Sequence, residues 1–413
     1  MIARSNLPGW LDKDIVLLAL SMFFRRASQG FLQIVRAIYL AIIGFDPLTI
    51  GFMTGFGSAV SIIESTLFGV LSDRYGRKLF LFIGNLMSVA RFLLYALSRD
   101  FWVLLIAQGI GALGEGEGAG QPVVSGYISD KIVDGTKRTR TFSTLAITNA
   151  LGSTIGSLLA ALPEFFKKNL SLNEADAYIL LFWIGFLFNL ISLITIILIR
   201  EPNPGEKPRR QSVKSTIKSP QAIREITLYS LVRSTDGLAM GFVSSLAPLY
   251  LHLRFNADSE DLAPIYAAAR FIPIPLYLTM PLLVERFGYV KPLIVARAAS
   301  GLSSLLIAFA LDFRLASSSL ILYMVLVETV MPIRQAFATE IASASSVGSL
   351  VGISNSLRTL LRSITPVVTG FFFQISQFHL PYILGSSLFF LNSFQFYKFY
   401  SKKGVTRGLI ESV

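Results

Sequence analysis

The chain consists of long apolar runs separated by short polar connections. Each run has about 20 residues or more, the length of α-helix that crosses the roughly 30 Å hydrocarbon core of a bilayer. The runs lack the strict apolar–polar alternation of membrane β-strands. The pattern therefore predicts twelve transmembrane helices, near residues 15–43, 49–71, 79–98, 102–129, 141–163, 175–199, 226–251, 262–284, 292–312, 318–341, 349–374 and 380–399.

A polar, basic stretch rich in proline and serine separates the predicted helices into two groups of six. It covers residues 201–224 and is predicted to link an N-terminal half, residues 1–200, to a C-terminal half, residues 225–413. The halves share short segments in the same order: residues 26–30 resemble 233–237, and residues 71–76 resemble 283–288. This similarity indicates an internal duplication, which many secondary transporters show.

Composition supports a membrane protein and excludes several other classes. The chain is 53% hydrophobic and 15% charged, with a mean hydropathy of +0.61, whereas soluble domains carry about 25% charged residues. It has no cysteine, so disulfides and thiolate metal sites are excluded, and its two histidines lie far apart in the sequence. No cofactor and no metal are expected.

The net charge of +12 is explained by the distribution of lysine and arginine among the connections. If the N-terminus is cytoplasmic, the opposite side has five such residues, at Arg99, Lys167, Lys168, Arg254 and Arg314, and the inner side has most of the rest. This bias follows the positive-inside rule and predicts a multi-pass plasma-membrane protein with both termini in the cytoplasm. A nucleic-acid partner is therefore not expected. The first helix lacks a signal-peptide cleavage pattern and is expected to be retained.

Residues 69–78, Gly-Val-Leu-Ser-Asp-Arg-Tyr-Gly-Arg-Lys, are similar to the signature turn between the second and third helices of the major facilitator superfamily. Every defining position matches. The resemblance implies an all-α integral membrane protein with twelve transmembrane helices in two pseudo-symmetric six-helix halves. It also implies that the turn latches one access state without touching substrate. The gating candidates are Gly69, Asp73, Arg74, Gly76, Arg77, Lys78, Glu285, Arg286 and Gly288.

Two other family patterns are incomplete. Gln108-Gly109 is present in the fourth predicted helix, but Leu105 stands where proton-coupled members have arginine. The fifth helix has Gly152 and Gly156 without the Gly-Pro of the drug-antiporter signature. The antiporter subclass is therefore not defined by these residues.

Fifteen charged residues, ten arginines and five acids, fall inside the predicted helices and outside the two residues at either end of each helix. Each would cost about 2.5–3.5 kcal/mol at the centre of a lipid-facing helix, so most are expected to face the interior of the bundle, water or each other. They concentrate near the midpoints of helices 1, 4, 7 and 10, which the resemblance implies line the central cavity. The candidates for substrate binding are Arg25, Arg26, Gln29, Gln33, Arg233 and Asp236, and those for proton coupling are Glu115, Glu117, Asp236 and Glu328.

These observations predict a secondary active transporter of a small organic solute that works by alternating access, with protons as the candidate coupling ion. The excess of interior arginine favours an anionic substrate. Efflux of lipophilic or cationic compounds is the alternative, and the amides Gln29, Gln33 and Asn149 would also suit a sugar. A non-transporting membrane sensor on the same fold is a further alternative. The expected partners are the substrate and the lipid bilayer, an enzyme is not expected, and the protein is predicted to be a monomer.

Overall fold

The structure is a computed structural model of the chain, and it describes residues 12–110, 120–132, 134–201, 220–341 and 347–401. Within these ranges all regular secondary structure is helical. The predicted candidates Glu115 and Glu117 lie outside the described residues.

In the described ranges, eight helices precede the basic stretch. They are α1 (Lys13–Ile42), α2 (Pro47–Tyr75), α3 (Arg77–Leu97), α4 (Phe101–Ile110), α5 (Gly120–Lys131), α6 (Gly135–Leu159), α7 (Leu162–Leu170) and α8 (Glu174–Leu198). Ten helices of the described chain follow it. They are α9 (Pro220–Ser244), α10 (Ala247–Phe255), α11 (Ser259–Phe271), α12 (Pro273–Leu276), α13 (Met280–Phe287), α14 (Val290–Ala308), α15 (Phe313–Thr329), α16 (Met331–Ile341), α17 (Val347–Gln374) and α18 (Leu380–Tyr400). Because α9 begins at Pro220, helix already occupies the last residues of the range expected for the linker.

Nine helical segments of the described chain are long and apolar enough to cross a membrane. In order, they correspond to predicted helices 1–3 and 5–10. Predicted helices 4, 11 and 12 are not among these nine segments. The fourth predicted helix includes the short apolar helix Phe101–Ile110 and then residues 111–119, which are not described. The eleventh and twelfth correspond to α17 and α18, which have 28 and 21 residues but contain several polar side chains, among them Arg358 and Asn392.

Proline interrupts some of the predicted helices and not others. The eighth is divided, since α11 ends at Phe271, Pro273 begins α12, and a 3₁₀ turn at Tyr277–Thr279 leads into α13. The tenth is divided just before Pro332, whereas α17 continues through Pro366. A proline inside a helix removes one hydrogen bond and crowds the preceding turn, which favours a break or a bend.

The chain forms two compact units. The first is drawn from Met1–Ile43, Ala59–Pro208 and Asp258–Ala267. In it α1 packs against α6 and α8, and α3 packs against α8. Hydrogen bonds between hydroxyl and amide groups connect α1, α3 and α8. The Ser192 hydroxyl on α8 lies 2.7 Å from that of Ser21 on α1 and donates to Asn85 Oδ1 on α3 at 2.6 Å.

The second unit is drawn from Gly44–Ser58, Arg209–Ala257 and Ala268–Val413. Here α9 packs against α17 and α18, and α14 packs against α15 and α18. The first part of α2 also belongs to this unit, and glycine permits its close contact with α17. A Cβ atom on Gly51 would overlap the carbonyl oxygen of Pro366, and one on Gly55 would lie 2.6 Å from that of Ser363. Small residues allow such approach between membrane helices.

Candidate functional site

The centre of the second unit contains a carboxylate surrounded by arginines. Asp236 on α9 places Oδ1 at 2.9 Å from Nη2 of Arg297 on α14. Its Oδ2 lies 3.2 Å from Nη1 of Arg233 and 3.1 Å from Nη1 of Arg334 on α16. The Nε of Arg358 on α17 is 3.7 Å from the same oxygen. We call these five side chains the Asp236 cluster.

Helical spacing and packing explain how the Asp236 cluster forms. Arg233 and Asp236 are three residues apart and therefore lie on one face of α9. The other arginines come from α14, α16 and α17, each of which contributes one guanidinium to this face. All five residues are buried, with exposures between 1% and 7%. Together they carry a formal charge of +3, so one carboxylate neutralises only part of the buried positive charge.

The remaining contacts of the cluster differ among its arginines. Arg233 donates to Asn355 Oδ1 at 2.7 Å, and Arg358 donates to the sulfur of Met240 at 3.2 Å. The guanidinium of Arg297 lies 5.8 Å from the centre of the Phe389 ring, within cation–π range. Its three nitrogens make no hydrogen bond within the described part of the chain, because the 2.9 Å approach to Asp236 lacks hydrogen-bond geometry.

The helix α17 has two contrasting exposed sides beside the cluster. One side is apolar and consists of Ile353, Leu357, Leu360 and Ile364, each 37–51% exposed. At about 100° per residue, Asn355, Thr359 and Arg362 lie on the opposite side. Asn355 is exposed and the other two are half-buried. Asn355 thus connects buried Arg233 with a polar exposed surface of the second unit.

The predicted polar residues of α1 occupy one arc of the helix in the first unit. Arg25, Arg26, Gln29, Gln33 and Arg36 fall within about 100° of one another around the axis. Arg25 and Gln29 are buried on one edge, whereas Arg26 is half-buried and Gln33 is exposed on the other. The adjacent residues Arg25 and Arg26 therefore have different surroundings. Both amide atoms of Gln29 lack a hydrogen-bond partner among the described residues.

A second group in the first unit centres on Gln108 at the end of α4. Its Oε1 accepts from Arg36 Nη1 at 3.2 Å and from Arg91 Nη2 at 3.4 Å. Arg91 and Gln108 are essentially unexposed. The fourth helix has Leu105 where the family pattern has arginine, and α1 and α3 supply guanidinium groups to the same glutamine instead.

The predicted signature turn is a network of charges at the end of α2. Arg77 lies 2.5 Å from Asp73 and 3.0 Å from Asp130 at the end of α5, and donates to the Ser72 hydroxyl at 2.8 Å. Gly126 makes room for this arginine, since a Cβ atom there would overlap its guanidinium. The turn itself is made by Gly76, whose φ of +102° favours glycine.

Glu201, which was not among the candidates predicted from the sequence, completes this network. Its carboxylate accepts from the backbone N–H of Arg77 at 2.7 Å and of Lys78 at 2.8 Å. It therefore satisfies two free donors at the N-terminus of α3 and complements the positive end of the helix dipole. Lys78 in turn donates to the carbonyl of Ile197 at 2.9 Å, so the end of α8 is tied to the turn.

The other predicted gating residues lie at or near two turns. Arg74 is exposed, and Gly69 accepts a hydrogen bond from Ser72 through its carbonyl. In the second unit Gly288 has a positive φ of 69°, like its counterpart Gly76. Glu285 and Arg286 are exposed beside it, and the Arg286 guanidinium lies 5.3 Å from the Phe287 ring centre. The predicted coupling residue Glu328 is half-buried on α15.

The structure thus brings together some candidates and adds others. Arg233 and Asp236 were predicted site residues and are in contact. Arg297, Arg334 and Arg358 are three of the ten arginines counted inside the predicted helices, and they were not candidate site residues. Each of these arginines lies in a separate helix whose other residues are mostly apolar or small. That pattern could have selected them, because an arginine in such a helix needs a buried counter-charge.

The long apolar helices and their buried polar clusters define a polytopic membrane protein. The chain matches the Major Facilitator Superfamily over residues 18–366 and belongs to that family. It is 22% identical to an uncharacterized membrane protein of Saccharomyces cerevisiae, over 91% of this chain and 92% of that protein. It is also 25% identical to the quinolone resistance protein NorA of a Staphylococcus aureus strain, over 61% of this chain and 62% of NorA.

Solved structures with the same fold include several transporters. The human organic anion transporter MFSD10 aligns with a TM-score of 0.67 and 16% identity, over 94% of this chain and all of that one. The nucleoside transporter NupG aligns with a TM-score of 0.74 and 13% identity, over 93% and 98%. A D-xylose–proton symporter aligns with a TM-score of 0.72 and 14% identity, over 94% and 97%. At these identities the likeness establishes the fold, and the substrate has to be argued from the site.

Proposed function

We propose that the protein is a secondary active transporter of a small organic anion. The observation that carries this proposal is the Asp236 cluster, in which four buried guanidinium groups share one carboxylate. Guanidinium groups bind carboxylate and phosphate in pairs of parallel hydrogen bonds, so a cluster of them suits an anionic solute. The polar arc of α1, with Arg25 and Arg26, offers further cationic groups in the first unit.

Transport proceeds, in this proposal, by alternating access of two pseudo-symmetric halves with six membrane helices each. The network of Asp73, Arg77 and Asp130 is proposed to hold one access state. Its ion pairs connect the ends of α2, α3 and α5, and in this proposal these helices must move for the turn to open. Coupling to protons through Glu115, Glu117, Asp236 or Glu328 belongs to the same proposal, as do plasma-membrane location, cytoplasmic termini and a monomeric state.

Efflux of lipophilic or cationic compounds is the second candidate function. It is favoured by the sequence match to NorA, whose name describes quinolone resistance. The +3 charge of the Asp236 cluster opposes it, since a cation there would meet like charge. The two proposals therefore differ in the sign of the charge that the site prefers.

The test is uptake into proteoliposomes containing the purified protein. Organic anions such as succinate, benzoate and glucose 6-phosphate are compared with ethidium as a lipophilic cation. We expect uptake of at least one anion, reduced tenfold or more by Arg334→Gln and unchanged by Arg314→Gln, which removes the same charge at an exposed position. Transport of ethidium with no anion flux would replace our proposal by the efflux alternative.

A further inference from the structure

We infer that the Asp236 cluster binds an anion carrying two or more negative charges, and that Asp236 is the internal counter-ion which this ligand replaces or supplements. The inference rests on the proposed function and adds the charge of the substrate to it. The residues concerned are Arg233, Arg297, Arg334, Arg358 and Asn355.

The first argument is charge balance. Buried charges are expensive unless they are paired, and a cluster of like charges repels itself strongly where water is excluded. With Asp236 included, the five side chains retain a charge of +3. A singly charged ligand would leave +2, whereas a doubly charged ligand leaves +1. The cluster therefore gains more from an oxyanion of higher charge.

The second argument is the supply of hydrogen-bond donors. Asp236 offers two oxygens, and three of its four guanidinium contacts converge on Oδ2. A guanidinium has five N–H donors in a fixed planar arrangement. Arg297 is 1% exposed, and none of its nitrogens makes a hydrogen bond within the described residues. A buried donor left in that state is costly, and the oxygens of a bound dianion would satisfy it.

The third argument is a route to the cluster. Asn355 is exposed and its Oδ1 accepts from Arg233 at 2.7 Å, so this amide occupies the boundary between the buried guanidiniums and the polar side of α17. An anion arriving along that side would exchange places with the amide oxygen. Arg233, which is 5% exposed, lies directly behind this boundary, and it shares Asp236 with Arg358, which is 7% exposed.

A purely structural ion-pair network is the competing explanation, and it makes different predictions. In a structural network Asp236→Asn would weaken the fold to the same extent with or without anions in solution. In our proposal the same change removes an internal competitor, so a divalent anion binds the variant more tightly and restores more of its lost stability.

The experiment measures thermal unfolding of the purified full-length protein in detergent as a function of anion concentration. The probes are sulfate and succinate, compared with chloride and acetate at equal ionic strength. The variants are Asp236→Asn and Asn355→Asp, with Arg314→Gln as the exposed control. Because sulfate stabilises many proteins by exclusion from their surface, only differences between variants are interpreted.

We expect the half-saturating concentration of the divalent anions to fall at least tenfold in Asp236→Asn. It should rise at least tenfold in Asn355→Asp, where a new carboxylate next to Arg233 competes with the ligand. The control should behave as the wild type. Asn355→Asp changes an exposed side chain, so it decides the question even if Asp236→Asn does not fold.

Equal responses of all variants to divalent and monovalent anions would overturn the inference. Flux measurements on the same preparations separate it from the proposed function. Transport of a monovalent anion without divalent preference would reject the inference alone. Divalent binding that follows the expected pattern, with no flux of any anion, would reject the transport function and retain the site.

Discussion

Replacing Asp236 by asparagine should be among the most destabilising single changes in the chain when no anion is bound. Asparagine has nearly the same shape, so the change removes the negative charge and little else. Four guanidiniums lie within 4 Å of the carboxylate, and the nearest distances are 2.9 and 3.1 Å. The change removes the carboxylate that these four cations share in the described contacts.

The expected size follows from the burial of the cluster. Removal of one partner from a single buried ion pair costs about 3–5 kcal/mol. At an effective dielectric constant of about 20, two unit charges 4 Å apart interact by roughly 4 kcal/mol, so the loss of several attractions leaves a repulsion of similar size. Since Asp236 serves four cations, we expect the free energy of unfolding to fall by about 5 kcal/mol.

The assay is equilibrium unfolding of the protein in mixed detergent micelles with increasing sodium dodecyl sulfate, followed by circular dichroism, in a buffer whose anions are monovalent. The control is Asp176→Asn, which removes an ion pair of 2.6 Å between Arg99 and Asp176. Both side chains of that pair are about half exposed, and such pairs contribute about 1 kcal/mol or less.

A double variant tests the cause of the effect. Arg297→Gln added to Asp236→Asn removes one of the unscreened cations and should recover part of the loss, which a double-mutant cycle would show as a favourable coupling. An Asp236→Asn protein as stable as the wild type, or a double variant whose two costs simply add, would refute the argument that the carboxylate screens buried positive charge.

Four further changes test other parts of the structure. Glu201→Gln should weaken the contact with the first turn of α3 and lower the free energy of unfolding by about 1 kcal/mol in the same assay, whereas an unchanged value would exclude a capping role. Gly55→Ala should cost about 1–3 kcal/mol because its Cβ would lie 2.6 Å from the Ser363 carbonyl oxygen. Its matched control is Gly84→Ala in α3, where nothing lies within 4 Å of the added Cβ, so the change should be neutral or stabilising by about 0.5–1 kcal/mol; equal losses from both glycines would contradict the packing argument. Lys131 donates a side-chain hydrogen bond to Asp12 and lowers the pKa of that carboxyl, so the stabilisation by this pair is present above the ordinary carboxyl range and is lost as the pH falls through the lowered pKa. The difference in melting temperature between wild type and Asp12→Asn should therefore shrink from pH 7 towards pH 3, and a constant difference would show that Asp12 acts in another way.

Much of the helical order followed from the apolar pattern alone. Nine predicted segments coincide with helices able to cross a membrane, because segment length and hydropathy are what the bilayer itself selects. The positions of breaks were harder to predict. Pro273 and Pro332 lie at helix starts while Pro366 lies inside a continuous helix, and only packing around each proline distinguishes these outcomes.

The site could be predicted only in part. Arg233 and Asp236 were selected because both are charged and lie near the midpoint of the seventh predicted helix. The partners on α14, α16 and α17 depend on how separate helices pack, which one sequence does not reveal. Glu201 was missed for the same reason, since it lies 124 residues from the backbone donor of Arg77 that it binds.

The most direct test of the central claim is transport by proteins that differ only in the charge of the cluster. Anion uptake into proteoliposomes would be measured for wild type, Arg358→Gln and Arg358→Lys, with Arg314→Gln as control and with the amount of folded protein equalised. Our account predicts uptake of an organic anion that falls tenfold or more in Arg358→Gln, is partly retained in Arg358→Lys, and is unchanged in the control. Uptake that is equal in all four proteins would contradict the account, because the buried guanidiniums would then play no part in transport.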